Sequence, residues 1–446
     1  MKARLGLCSA YSFLYGVHQS EKLLKGAVSF GADTVSICDL NSLYGVHTFL
    51  EAAKEENVRP IIGTVLTAGE STIPGVYCFV ENPGGFARLC EILTIRSRDS
   101  EHFDPLPLLR ENAAGLILAS PNEAALAYLN GKVKKLYGAI TPRDIKVIPC
   151  SRNLGLPLAF LDDSLFLDPK DMAVHRVLRA VGLLKTIGNL APGDTAHEDR
   201  VLRSPALLHR RLMSWPEAAR GTEEIAALCT TDHLFDKLIF PGYATPGHTA
   251  HEELVQRVYR GNTERYGNLG DKEITRIEHE LDIIKKKSFS SYFLIIDDIV
   301  KMASRTCGRG SGAASIVSYG LGITNVDPVR YNLYFERFLN PSRPDPPDLD
   351  IDFAWDERDD LIKAVIERFG IDHCARVANH NMFRRRSALR ETAKAYGFGD
   401  GEITAIERKL AIRKEEREII GDDPIWEEDD EDLSNDDSVG SDYLTH

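Results

Sequence analysis

The sequence of 446 residues contains no apolar run near the 18 residues or so that a membrane helix needs, so a membrane-spanning helix is not expected. Its N-terminus, MKARLGLCSAYSFLYG, interrupts its apolar stretch too soon for a signal peptide. The eight cysteines (Cys8, Cys38, Cys78, Cys90, Cys150, Cys229, Cys307 and Cys374) are scattered and include no CxxC pair. That spacing argues against a zinc site or a disulfide framework and predicts reduced, structural thiols in a cytoplasmic protein. A basic excess is missing too. The 54 Lys and Arg against 67 Asp and Glu give a net charge of −13, which at first argues against a nucleic-acid partner. The acidity is local, however: residues 421–446 hold eleven acids and no Lys or Arg, so removing −11 from −13 leaves −2 for residues 1–420.

At roughly 100–200 residues per domain, the length predicts two to four folded domains. Strand-like runs occur at 34–38 (TVSIC), 60–66 (PIIGTVL), 76–80 (VYCFV), 115–119 (GLILA) and 157–161 (PLAFL), with amphipathic stretches at 21–30, 43–55 and 86–95 among them. Such alternation predicts βα units around a largely parallel, buried sheet, either open or closed into a barrel. Residues 168–232 read as mainly helical, and the Pro/Gly-rich stretch 233–248 predicts a domain boundary. Two helices are predicted beyond it, over Ala250–Tyr266 and Asp271–Lys286. The second aligns Ile274, Ile277, Leu281 and Ile284 on one face and ends in a solvated lysine run. The acidic tail after Gly421 is expected to be disordered.

Three motifs could carry chemistry. The glycines and small residues of 307–315 (CGRGSGAAS) let backbone N–H groups approach phosphate oxygens, with Ser311 adding a hydroxyl and Arg309 a charge. A helix starting at Ile316 would then turn its N-terminus toward the anion. In 346–353 (PPDLDIDF), Asp348, Asp350 and Asp352 alternate with Leu349, Ile351 and Phe353, the period of a half-buried strand. Like charges on one face repel unless a cation lies between them, and such carboxylates suit Mg²⁺ beside substrate phosphates. The same strand could instead be an acidic edge that resists aggregation. In 381–390 (NMFRRRSALR), Arg386 and Arg390 fall one helical turn apart, able to clamp two phosphates or to sit on a solvated face.

Taken together, 292–295 (YFLI), 308–315 (GRGSGAAS), 321–328 (LGITNVDP), 335–341 (FERFLNP) and 347–353 (PDLDIDF), followed by Glu357 and Arg358, resemble the palm and early thumb of a bacterial C-family DNA polymerase, the polymerase III alpha subunit. PPDLDIDF and RRRSALRE are most similar to the error-prone branch used in damage tolerance. Upstream, 11–16 (YSFLYG), 43–45 (LYG), 60–63 (PIIG) and 82–90 (NPGGFARLC) resemble that family's N-terminal PHP domain. The resemblance implies an α/β fold. A distorted βα barrel (1–235) is followed by a nucleotidyltransferase-like palm of α+β type (236–372), the start of a helical thumb (373–420) and the acidic tail (421–446).

The family's roles carry over residue by residue. Asp350 and Asp352 would be the catalytic, Mg²⁺-binding carboxylates, two ions being expected in a complete site, with Asp348 in support. Arg309, Gly310, Ser311 and Gly312 would hold the incoming triphosphate, and Arg386 and Arg390 would contact nucleotide or DNA phosphates. The PHP metal site looks dismantled: Gly6 and Cys8 stand where the family can carry an HxH pair, and Leu40, Val65 and Leu165 stand at ligand positions. Asp39 and Asp163 remain, too few for a metal cluster, so that domain is expected to be structural and metal-free. The resemblance is expected to fade near Glu407, before any third carboxylate, fingers or template-binding region. The partners implied are primer–template DNA and dNTPs, and no membrane. A separate chain could supply the rest of the polymerase, of which this chain would be an incomplete part. The competing reading is a polymerase-derived protein that binds DNA or partners without catalysis.

Overall fold

The computed structural model describes residues 2–69, 71, 75–230, 240–340, 342 and 347–420, with 411–420 as backbone alone. The predicted tail after Gly421 and part of the predicted boundary stretch lie outside the described residues. The chain forms two compact units, one of Met1–Leu234 with Met382–His446, the other of Phe235–Asn381.

In the first unit seven strands hydrogen-bond in sequence order: β1 Ala3–Leu7, β2 Thr34–Leu40, β3 Arg59–Leu66, β4 Val76–Val80, β5 Leu116–Ser120, β6 Leu136–Ile140 and β7 Leu158–Phe160. β4 runs antiparallel to both its neighbours and the other pairings are parallel. The sheet curls until the segment after β7 meets β1, where Asp162 N–H donates to the Leu5 carbonyl at 2.7 Å and Cys8 N–H to that of Ser164 at 3.0 Å. The result is a nearly closed barrel. Leu5, Ile61, Phe79, Ile117 and Ala139 cluster on one face. Ile62, Cys78, Val80, Leu118 and Ile140 cluster on the other with apolar side chains of the flanking helices. Burial on both faces is why these strands, β1 and β6 excepted, read as near-continuous apolar runs. In the same unit, the helix Arg385–Ala395 packs against the helix Asp171–Gly182.

The second unit is mainly helical. Ala250–Tyr266 opens with a capping box, the Thr249 hydroxyl accepting from Glu252 N–H while the Glu252 carboxylate accepts from Thr249 N–H. Asp271–Lys286 and Ser290–Val300 follow. Leu254, Val258, Ile277, Leu281, Ile284, Phe293, Ile316, Phe335 and Phe338 form the core between them. Ile277, Leu281 and Ile284 lie on the face that the sequence predicts, while Ile274 is only half-buried.

Candidate functional site

The second unit holds a two-stranded antiparallel sheet, β8 Thr306–Arg309 and β9 Asp350–Phe353, with Cys307 opposite Asp352 and Arg309 opposite Asp350. Asp348, Asp350 and Asp352 are exposed, while Leu349, Ile351 and Phe353 are half-buried. Leu349 and Ile351 pack on the core of the unit. Alternation therefore extends over 348–353, setting consecutive carboxylates about 7 Å apart on one face. Arg309 Nε lies 3.4 Å from Asp352 Oδ1, with the two side chains 64% and 61% exposed; it is the one ion pair that these three carboxylates make among the described residues. Tyr292 lies alongside. Burial, and after it the charges of Asp348 and Asp350, raise its phenol above the ordinary value, against a backbone hydrogen bond with Leu349.

The far end of this two-stranded sheet is clamped by residues that motif reading named only in part. Arg305 donates to both oxygens of Asp356, at 2.7 and 2.6 Å, and to Glu357 at 3.0 Å. Glu357 also accepts from Ser304 N–H at 2.9 Å. Donation from the Ser304 hydroxyl and amide, then from Arg305, holds the Glu357 carboxyl down at about 2. These contacts fix the register that sets Arg309 and Asp350 side by side.

β8 runs directly into the 3₁₀ turn Gly310–Ala314. Gly310 has φ +68°, and a Cβ there would lie 3.7 Å from Asp350 Oδ2; one at Gly312 would lie 2.7 Å from Leu349. Backbone and carboxylate strand thus approach as closely as glycine permits. Arg309, Gly310 and Ser311 are exposed and Gly312 is buried.

The expectation that the next helix would turn its N-terminus toward a bound anion is corrected. That helix, Ile316–Gly320, has only five residues, and its N-terminus already holds an anion of the protein's own. The Glu280 carboxylate accepts from Ser315 Oγ at 2.7 Å, Ile316 N–H at 3.2 Å and Val317 N–H at 3.3 Å. Sequence reading missed Glu280. The signal was there: it interrupts the apolar stripe Ile277, Leu281 and Ile284.

Arg386 and Arg390 belong to the first unit and share one face of their helix, as their spacing predicts. Both turn to Glu407, at 3.6 and 3.2 Å, and Arg390 also reaches Asp400 at 3.5 Å.

In the barrel, Asp39 is buried and accepts from Ser9 N–H at 2.7 Å, Ser9 Oγ at 2.7 Å and Ser12 Oγ at 2.8 Å. Asp163 lies 3.4 Å from Arg200 Nε through Oδ2. Its Oδ1 is buried without a hydrogen-bond partner. Arg200 donates further to the Asp163 carbonyl at 2.6 Å and to the Tyr15 hydroxyl at 2.9 Å. Burial, and then the Asp39 charge, push the Cys8 thiol up to about 12, so it stays a neutral thiol. Val65 and Leu165 are buried and apolar, Leu40 is half-buried, and Gly6, at φ +92°, offers no side chain. These residues do not fit a metal cluster: the donors are few, and a guanidinium already acts among them on Cys8, Tyr15, Tyr77 and Asp163. Nothing in the segment HEDRVLR marked Arg200 for that role.

Among the described residues no group of three or more His, Cys, Asp or Glu converges as a ready-made metal site, and no helix is long and apolar enough to cross a membrane. The carboxylates of β9 still suit a divalent ion, being hard oxygen donors on one open face next to a glycine turn.

Comparison with known proteins agrees with the motifs. Residues 5–144 match the PHP domain, and residues 252–438 match the bacterial DNA polymerase III alpha NTPase domain. The second match runs past Glu407, where the resemblance was expected to fade, and into the acidic tail. The error-prone DNA polymerase of Mycobacterium tuberculosis is 31% identical, over 92% of this chain and 42% of that protein. That of Symbiobacterium thermophilum is 29% identical over the same shares. The DNA polymerase III subunit alpha of Aquifex aeolicus is 28% identical, over 88% of this chain and 40% of that protein. The chain thus spans about two fifths of the length of the curated relatives it matches. The two matches fall in order along the chain, the PHP domain first and the polymerase III alpha domain second.

Proposed function

We propose that this chain provides the catalytic carboxylates and the nucleotide cradle of a DNA polymerase of the III alpha type, in replication or error-prone repair synthesis. One observation carries this reading. The glycine turn that follows β8 abuts the carboxylate strand β9, with Arg309 opposite Asp350 and the Gly310 Cβ position 3.7 Å from Asp350 Oδ2. The triphosphate of a dNTP would lie along Gly310, Ser311 and Gly312, with Arg309 balancing its charge. Asp350 and Asp352 would hold Mg²⁺, and Asp348 would keep the local potential negative. When bound, Mg²⁺ supplies charge stabilisation to the attacking and leaving oxygens of an in-line displacement.

The primer 3′-hydroxyl would attack the α-phosphate, forming the new phosphodiester and releasing pyrophosphate. The protein's part is positioning and electrostatics, with no covalent intermediate. The half-buried Leu349 and Ile351 hold the carboxylate strand, and the Arg305–Asp356–Glu357 clamp holds its register. The barrel, with its donors consumed internally, serves as a structural domain. Cytoplasmic action on primer–template DNA follows from the same reading, and a further chain could complete the polymerase.

Primer extension with Mg²⁺ and dNTPs, by the purified chain alone and with candidate partner chains, tests the proposal; incorporation by the chain alone would refute the reading that it is an incomplete part of the polymerase. Incorporation that falls by at least about a hundredfold in Asp352→Ala is expected of a metal-binding carboxylate. Primer–template binding without any incorporation, alone or with candidate partner chains, favours the non-catalytic reading instead.

A further inference from the structure

Glu280 is a fully buried carboxylate in a helix that otherwise turns apolar residues inward. Leaving it there unpaired would cost several kcal/mol. Its surroundings remove that cost in a specific way. One oxygen accepts from Arg276 Nε at 2.6 Å and from Ile316 N–H at 3.2 Å. The other accepts from Ser315 Oγ at 2.7 Å and Val317 N–H at 3.3 Å. The Arg276 guanidinium also donates to the Ala314 carbonyl at 3.0 Å and the Leu333 carbonyl at 2.9 Å. Arg276 and Glu280 together therefore hold residues 314–317 through four hydrogen bonds. These residues are the exit of the turn Gly310–Ala314, whose entrance is fixed by pairing in β8.

The exposed part of the turn, Gly310 and Ser311, lies between these two anchors, and Gly312 rests on Leu349 of the carboxylate strand. Glu280 binds the exit of the turn through Ser315, Ile316 and Val317, and none of these bonds is to Gly310, Ser311 or the three aspartates. An uncharged side chain here would lose the ion pair with Arg276 and weaken both N–H bonds, since bonds to an ionised acceptor are roughly twice as strong as neutral ones.

We infer that Glu280 is a positioning residue: held by Arg276, its carboxylate fixes the Gly310–Ala314 turn in the shape that receives the triphosphate. The last clause rests on the proposed nucleotide site; the fixing of the turn does not.

The test compares the full chain with Glu280→Gln, close to it in shape, and with Ser315→Ala, which removes one bond but keeps the anion. Hydrogen exchange by mass spectrometry reads the peptide 308–317 against the helix Ala250–Tyr266. Titration with Mg²⁺·dATP reads affinity. In Glu280→Gln, exchange in 308–317 should rise while the reference helix stays protected. Affinity should drop roughly tenfold, the low end of what supporting partners behind a ligand contribute. Ser315→Ala should move both readouts in the same direction by less.

Unchanged exchange in 308–317, or an equal rise through the whole unit, would overturn the inference. A variant that loosens the turn yet keeps wild-type dATP affinity would overturn its functional half. If the wild-type chain binds no dATP, the nucleotide reading fails, and the exchange comparison still decides whether Glu280 fixes the turn.

Discussion

Two groups of carboxylates in this chain are treated in opposite ways. In the barrel, Asp39 and Asp163 are withdrawn from water and the protein supplies their partners: hydroxyls and an amide for one, the Arg200 guanidinium for the other. Around β9, Asp348, Asp350 and Asp352 stay in solvent, and among the described residues the one cation paired with them is an equally exposed arginine. A buried charge must be neutralised by the fold itself, whereas an exposed one can wait for a cation from solution. Carboxylates whose charge the fold already answers are poorer candidates for metal ligands than those left in solvent, so the comparison predicts metal binding around β9 and none in the barrel.

The sharpest break of this comparison is Arg200→Met. It leaves Asp163 buried without its countercharge and Tyr15 without its donor. Removing one partner of such a pair costs about 3–5 kcal/mol. Urea unfolding of the full chain should show the loss in the transition of the barrel unit, with Arg200→Lys recovering part of it. A change under about 1 kcal/mol would mean that the guanidinium is not the internal cation of that site.

Acid should expose the same hostility to added positive charge, with a smaller effect. His175 is buried. Ala196 N–H donates to its Nε2 at 2.8 Å, which assigns the proton to Nδ1, 2.8 Å from the Tyr15 carbonyl. Burial first, and then the charges of Arg179 and Arg200, hold this imidazole at about 4, below its ordinary 6.5. The unfolded chain takes up the proton below about pH 6.5, but the folded chain does so only near 4. Stability is therefore complete above pH 6.5 and falls as the pH drops toward 4, by about 2–3 kcal/mol from this group. Denaturation midpoints at pH 7 and 4.5 should diverge more for the wild type than for His175→Gln. Equal shifts would remove His175 as the cause.

The two regions also differ in how far they could be read from sequence. The carboxylate strand and the glycine turn were legible because both are local patterns, and Asp348–Phe353 obey the period-2 alternation residue by residue, whereas β8 and its pairing with β9 were not. The two helices 250–266 and 271–286 were legible for the same reason. β1 and β6 were not. β1 holds Arg4, buried against Asp162 at 2.7 Å, and Gly6, where its register with β2 shifts. β6 holds Gly138, where a Cβ would sit 1.9 Å from Ser151 Oγ. A charge and two glycines broke the apolar runs that mark the other strands. Tertiary partners distant in sequence made those residues necessary, as they did Arg200 and Glu280. No short window along the chain contains Arg4 with Asp162, Arg200 with Asp163, or Glu280 with Ser315.

On the side of β9, Asp350→Asn with Asp352→Asn should do what Arg200→Met does not. Exposed side chains away from the core change stability by less than about 0.5 kcal/mol, and relief of like-charge repulsion can even raise it. Divalent-ion binding should be lost. Mg²⁺ should raise the melting temperature of the wild type, because a ligand bound only to the folded state stabilises it, and should leave the double variant unmoved. A loss above about 2 kcal/mol without metal would make these carboxylates structural, and the contrast with the barrel would collapse.

The smallest expected effect on stability is the most informative one about Arg309. It stands to Asp352 as Arg200 stands to Asp163, 3.4 Å away in each case, but in solvent instead of in a core. An exposed pair of this kind is worth about 0–1 kcal/mol, so Arg309→Gln should fold like the wild type. What it changes is the competition for Asp352. If Arg309 is a placeholder that yields to the metal, the variant should bind Mn²⁺ slightly more tightly. If it also balances the triphosphate, Mg²⁺·dATP should bind more weakly, and the two titrations should move in opposite directions. Equal tightening of both would assign Arg309 to the carboxylate alone. Weakening of both would mean that the guanidinium supports the metal site instead of competing with it, and the parallel with Arg200 would fail.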